Sequence, residues 1–117
     1  MLATKEMLFL IVDDQQTMRR LLKSSLRQLD YKNFKEAENV LEALGILKSA
    51  PIDFVILDWS MPGEPGISLL KQIKASEEWQ KIPVLMVTSE SDQEIIMEAI
   101  KAKVDGYILK PVNTKIL

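Results

Sequence analysis

The sequence predicts an α/β fold, a doubly wound five-stranded parallel sheet in a single domain. Two observations carry that prediction. Short apolar runs at Met7–Val12, Phe54–Leu57 and Pro83–Val87 show no polar alternation, as strands do when both faces are covered. Between them, apolar residues recur every three or four positions, as on one face of a helix. Strands alternating with helices over short connections give a parallel sheet with right-handed crossovers.

The first strand stops at Asp13-Asp14. From Thr17 a helix follows, with Met18, Leu21, Leu22, Leu26 and Leu29 on its apolar face and Arg19, Arg20, Lys23 and Arg27 between them. Asn33–Ala37 is a weaker strand. Val40, Leu41, Leu44 and Leu47 mark a second helix, and Pro51 follows it. Phe54–Leu57 ends on Asp58 and runs into the turn residues Pro62 and Gly63. Ile67, Leu70 and Ile73 give a third helix after Gly66. The fourth strand ends on Thr88-Ser89. Ser91 and Glu94 have capping-box spacing for a fourth helix, with Ile96, Ala99 and Ile100 facing inward. Gly106–Leu109 is the last strand, ending on Lys110-Pro111. Asn113 or Thr114 would cap a fifth helix. With residues 114–117 alone to form it, that helix is expected to be largely absent; a sequence cut from a longer protein is the first explanation, with a dimer or a borrowed helix covering the exposed apolar face, or a short natural variant, as the alternatives.

Composition narrows the function. At 117 residues the chain, 1–117, is one domain, and 47% hydrophobic content is enough for a core. A net charge of -2 without a basic stripe argues against direct nucleic-acid binding. The absence of Cys and His removes disulfides, thiolate and most zinc sites, the usual general base, and a phosphohistidine carrier. No apolar run reaches the roughly 18 residues of a membrane span and no leader is evident, so the expected location is cytoplasmic.

The strand ends share a feature. They carry Asp13 and Asp14, Asp58, Thr88, and Lys110. Ligands of open α/β sheets bind outside the carboxyl ends of the strands, so these residues are expected to meet there. Three close carboxylates repel one another. A hard divalent cation held by oxygen ligands would offset this, which points to magnesium. Lys110 would add a second positive charge and Thr88 a hydroxyl donor. An oxyanion between them suits a phosphoryl group, with Asp58 as nucleophile. Taken singly, Asp13 and Asp14 read as a turn and helix cap, Asp58 as a turn residue, and Lys110 as a solvated strand end. Arg19 and Arg20 read as the solvated face of the first helix, and Tyr107, Trp59 and Trp79 as packing.

Val12-Asp13-Asp14, Thr17-Met18-Arg19-Arg20, Asp58-Trp59-Ser60-Met61-Pro62 and Gly106 to Pro111 together resemble the receiver domain of bacterial two-component response regulators. The likeness is strongest to the single-domain chemotaxis members. It implies a flavodoxin-like sheet in the order 2-1-3-4-5, a known property of that family. It also implies magnesium bound by Asp14 and Asp58 directly, by Asp13 through water, and by the backbone carbonyl of Ser60. Asp58 would take phosphoryl from a sensor histidine kinase, Lys110 would pair with it, and Thr88 would hydrogen-bond it. Thr88 and Tyr107 would form the switch: Thr88 moves, Tyr107 turns inward, and the surface that a downstream effector reads changes. Such a protein is not an enzyme beyond self-phosphorylation and slow self-dephosphorylation. A receiver fragment of a larger regulator, such as a transcription factor, is an alternative. So is a magnesium-dependent phosphohydrolase using an aspartyl phosphate, although such enzymes want Asp where Ser60 stands. Two further departures from the family are Glu64-Pro65 ahead of Gly66, and Lys103 where a helix-ending Gly is common. The Lys110–Pro111 bond is implied to be cis.

Overall fold

A computed structural model of the protein describes residues 6–110. Strand and helix alternate throughout: β1 Leu8–Val12, α1 Gln16–Gln28, β2 Asn33–Ala37, α2 Val40–Ser49, β3 Phe54–Leu57, α3 Gly66–Ala75, β4 Val84–Thr88, α4 Gln93–Lys101 and β5 Gly106–Leu109. The five strands form one sheet in the order β2-β1-β3-β4-β5, and every neighbouring pair is parallel. The expected order is therefore present, and so is the weak second strand. The expectations for the fifth helix, its caps and the Lys110–Pro111 bond lie outside the described residues.

The unbroken apolar runs are explained by two cores, one on each face. Phe9 and Ile11 of β1, Ile56 of β3 and Val87 of β4 pack with Leu22 and Leu26 of α1. Their neighbours Leu10, Val12, Val55, Leu57, Val84 and Met86 point the other way, onto a core shared with α2, α3 and Ala99 of α4. A strand buried on both faces has no polar position to give up. Each such Leu or Ile contributes about 1.5–3 kcal/mol relative to its exposed state. Trp59 and Trp79 are partly buried against the second core, in keeping with packing.

Three local readings are corrected. Asp92, not Ser91, caps α4: the helix begins one residue later, and the Asp92 carboxylate accepts the Glu94 N–H at 2.8 Å. Ile100 does not face inward. It is 54% exposed, because α4 meets the sheet through Ala99, which lies a hundred degrees away around the helix from its neighbour. Arg19 is not solvated but buried at 7% exposure. Lys103 does adopt the left-handed conformation anticipated for a helix-ending residue, with φ 68°. The Lys103 and Val104 N–H groups donate back to Ile100 and Ala99, which is a Schellman end built without glycine.

Candidate functional site

β1 and β3 are adjacent, and their register ends with Val12 beside Leu57. The next residues, Asp13 and Asp58, therefore emerge side by side. The Asp58 N–H donates to the Val12 carbonyl at 3.0 Å, and the Asp13 N–H donates to Ala37 of β2 at 3.0 Å. Both carboxylates are buried, at 2% and 5% exposure, while Asp14 is exposed. Carboxylate oxygens of Asp13, Asp14 and Asp58 lie within 4.8 Å of one another. Asp13 is further fixed by the Gln15 N–H, which donates to its Oδ1 at 2.9 Å.

Lys110 reaches this cluster from the end of β5. Its Nζ donates to Asp13 Oδ2 at 3.0 Å and to Asp58 Oδ2 at 3.2 Å. Burial pushes the Lys110 ammonium down, but the hydrogen bond and charge of Asp13 and the charge of Asp58 outweigh it, and the net shift is upward. Burial raises the Asp13 carboxyl above its usual range, against the opposing pull of the Gln15 N–H and Lys110. A lysine between two carboxylates leaves the cluster of Asp13, Asp14 and Asp58 with excess negative charge. Oxygen donors, an open flank at Asp14 and no nitrogen or sulfur ligand fit a hard divalent cation.

Gly66 sets the other wall. A Cβ on it would collide with the Asp58 carbonyl oxygen. Its own N–H donates to the Trp59 carbonyl at 2.7 Å. Only a glycine lets α3 begin this close to the loop that carries Asp58.

Thr88 is fully buried at the end of β4. Among the described residues its hydroxyl accepts the Glu90 N–H, at 3.4 Å, and does not bond Asp58. Glu90 was not singled out from the sequence, yet it joins two residues that were. Its carboxylate accepts the Ser60 hydroxyl at 2.7 Å, and its backbone carbonyl accepts the Tyr107 hydroxyl at 2.7 Å. Burial raises the Tyr107 phenol above its ordinary value, helped by the charges of Glu90 and Asp58. The structure thus gathers Asp13, Asp14, Asp58 and Lys110 directly, and links Ser60 to Tyr107 through Glu90.

Arg19 was also missed as a site residue. Its Nη1 donates to the Asp13 carbonyl at 2.6 Å, and its Nε to Glu36 at 2.9 Å. The signal was available in the sequence: Arg19 stands three and seven residues before Leu22 and Leu26, on the buried stripe of α1.

Residues 9–117 match the response regulator receiver domain family. The chain belongs to that family. The receiver domain is 51% identical over 113 residues to chemotaxis protein CheY-3 of Vibrio cholerae, covering 97% of this chain and 87% of the relative. It is 46% identical over 111 residues to the chemotaxis protein CheY of Pseudomonas aeruginosa, covering 95% and 90%. The solved structure of Vibrio cholerae CheY4 is 27% identical and superposes with a TM-score of 0.86 over 94% of this chain and 91% of that one. This receiver domain is thus homologous to the CheY proteins, which are signalling proteins of two-component systems and not classical enzymes. Among the described residues no helix is long and apolar enough to cross a membrane.

Proposed function

We propose that this receiver domain is a phosphoaccepting switch, chemotaxis-like, that takes a phosphoryl group from a sensor histidine kinase onto Asp58. The observation that carries the reading is the bridge from Lys110 to the buried carboxylates of Asp13 and Asp58, beside the exposed Asp14. Asp13, Asp14, Asp58 and the Ser60 carbonyl are the groups that would hold magnesium, which supplies neutralising charge for an incoming phosphoryl group. The Asp58 carboxylate attacks phosphorus, a P–O bond forms, and the P–N bond to the donor histidine breaks. Lys110 then exchanges its Asp58 contact for a phosphoryl oxygen, while Asp13 keeps its ammonium in place. Thr88 turns its hydroxyl to the phosphoryl group, and Tyr107 gives up Glu90 and moves inward. The surface formed by α4 and β5 changes with it, and a downstream effector reads that change. The domain acts on itself alone, once per donor, with slow self-dephosphorylation.

Labelling with a small phosphoryl donor and magnesium tests this. One acid-stable, hydroxylamine-labile phosphate per chain is expected, and it is absent from Asp58→Asn. Equal labelling of that variant would remove Asp58 from the role.

A further inference from the structure

Asp14 is the least supported member of the acidic cluster. Asp13 and Asp58 are buried and held by Lys110, whereas Asp14 is exposed and, among the described residues, no hydrogen bond holds its carboxylate. Its direction is therefore set by its backbone. That backbone enters through the Asp13–Asp14 peptide, a rigid plane whose carbonyl oxygen belongs to Asp13. The oxygen is gripped by Arg19 Nη1 at 2.6 Å. The preceding peptide is fixed as well, since the Asp13 N–H donates to the Ala37 carbonyl. The peptide plane cannot turn without breaking the Arg19 contact.

Arg19 is itself well anchored. It is buried, and its Nε bonds Glu36, whose other oxygen takes Lys23 at 2.8 Å. Glu38 lies 3.9 Å from the second guanidinium nitrogen. The two cations and two carboxylates balance, so the guanidinium brings little net field toward a cation in the neighbouring cluster. A planar guanidinium can serve Glu36 and the Asp13 carbonyl at once, with separate N–H groups at fixed angles. The ion pairing of α1 with Glu36 of β2 is thereby connected to the peptide that aims Asp14.

We propose that Arg19 is a positioning residue for the acidic cluster, holding the Asp13–Asp14 peptide so that Asp14 points at the cation position. The proposal rests on the reading of that cluster as a magnesium site. It carries an unusual sign. If Arg19 acted through its charge alone, removing it would tighten the binding of a cation nearby. If it positions Asp14, removing it weakens binding.

The test is a titration of Trp59 fluorescence with magnesium alone, at a temperature well below unfolding, in the parent, Arg19→Gln and Arg19→Lys. A rise in the magnesium Kd of roughly tenfold is expected for Arg19→Gln, as for other residues that orient a ligand from behind. Arg19→Lys keeps the charge but has one head for two acceptors, and an intermediate rise is expected. A Kd for Arg19→Gln equal to or below that of the parent, with Arg19→Lys unchanged, would overturn the proposal. Amide hydrogen exchange in metal-free protein gives a second readout. Asp13, whose N–H is bonded to Ala37, should exchange about tenfold faster in Arg19→Lys, with α4 unaffected; unchanged Asp13 exchange counts against the proposal. Should the parent itself show no saturable magnesium binding, the magnesium reading falls, and Asp13 exchange then decides the positioning claim by itself. Should Arg19→Gln fail to fold, Arg19→Lys decides both readouts.

Discussion

The hydroxyl of Ser60 donates to the carboxylate of Glu90 across 2.7 Å, tying the loop after Asp58 to the loop after β4. The loop so tied stands beside Asp58, whose Oδ1 accepts the Ser60 N–H at 3.4 Å. Glu90→Ala removes the acceptor and frees that loop, which should give water easier access to the phosphorylated residue. Losing one such hydrogen bond is worth about 1 kcal/mol, or about fivefold in rate. The aspartyl phosphate of Glu90→Ala is expected to decay faster by about that factor, measured by release of labelled phosphate. An unchanged or longer lifetime would show that the bond does not limit access.

Gly66→Ala is expected to be damaging despite the small change. The added Cβ meets the Asp58 backbone carbonyl, not a side chain that could rotate away. Overpacking of this kind costs about 1–3 kcal/mol, and a melting temperature lower by about 5–10 °C should follow. Phosphoacceptance should fall as well, because relief of the clash moves Asp58.

Lys110→Ala separates two effects. In metal-free protein it leaves Asp13 and Asp58 facing each other without a cation, which should destabilise the fold by about 2 kcal/mol. The same loss of positive charge should make magnesium bind more tightly than in the parent and restore much of the stability. Thermal melts with and without magnesium check this, and phosphorylation should remain slow in both.

Acid should act through Glu36. Lys23 chiefly, with Arg19, holds its carboxyl below the ordinary value of 4.5 against an opposing effect of burial. A depressed folded-state pKa means that the unfolded chain takes up the proton first. The stabilisation is complete above the ordinary value and is lost as pH falls through the folded value. Urea unfolding of the parent and Glu36→Gln should differ by a constant amount from pH 7 to about pH 5.5, and the gap should close below about pH 4.5. A gap that widens in acid would contradict the assignment.

Much of this molecule was legible before its structure. The apolar runs are short and end abruptly on Asp13, Asp58, Thr88 and Lys110, and the parallel sheet needs no more than that to bring their ends to one edge. Arg19 was harder to see. A basic residue on a helix is ordinarily solvated, and its acceptor Glu36 sits in the strand with the weakest pattern. Its spacing to Leu22 and Leu26 marked it as inward-facing, but chemical type outweighed geometry in that reading. Glu90 left no mark at all, since one of its two roles belongs to its carbonyl oxygen, which every residue possesses. Ile100 misled because apolar spacing does not show how narrow a contact a helix makes with its sheet.

The two contacts of Glu90 differ in what a mutation can reach. Ser60 holds the side chain, and Tyr107 holds the main chain. Substitution at position 90 can loosen or strengthen the grip on Ser60 and leave the carbonyl beneath Tyr107 in place. On the proposed reading, descendants of this chain would therefore be free to retune how long a signal persists without rebuilding the contact that reports it.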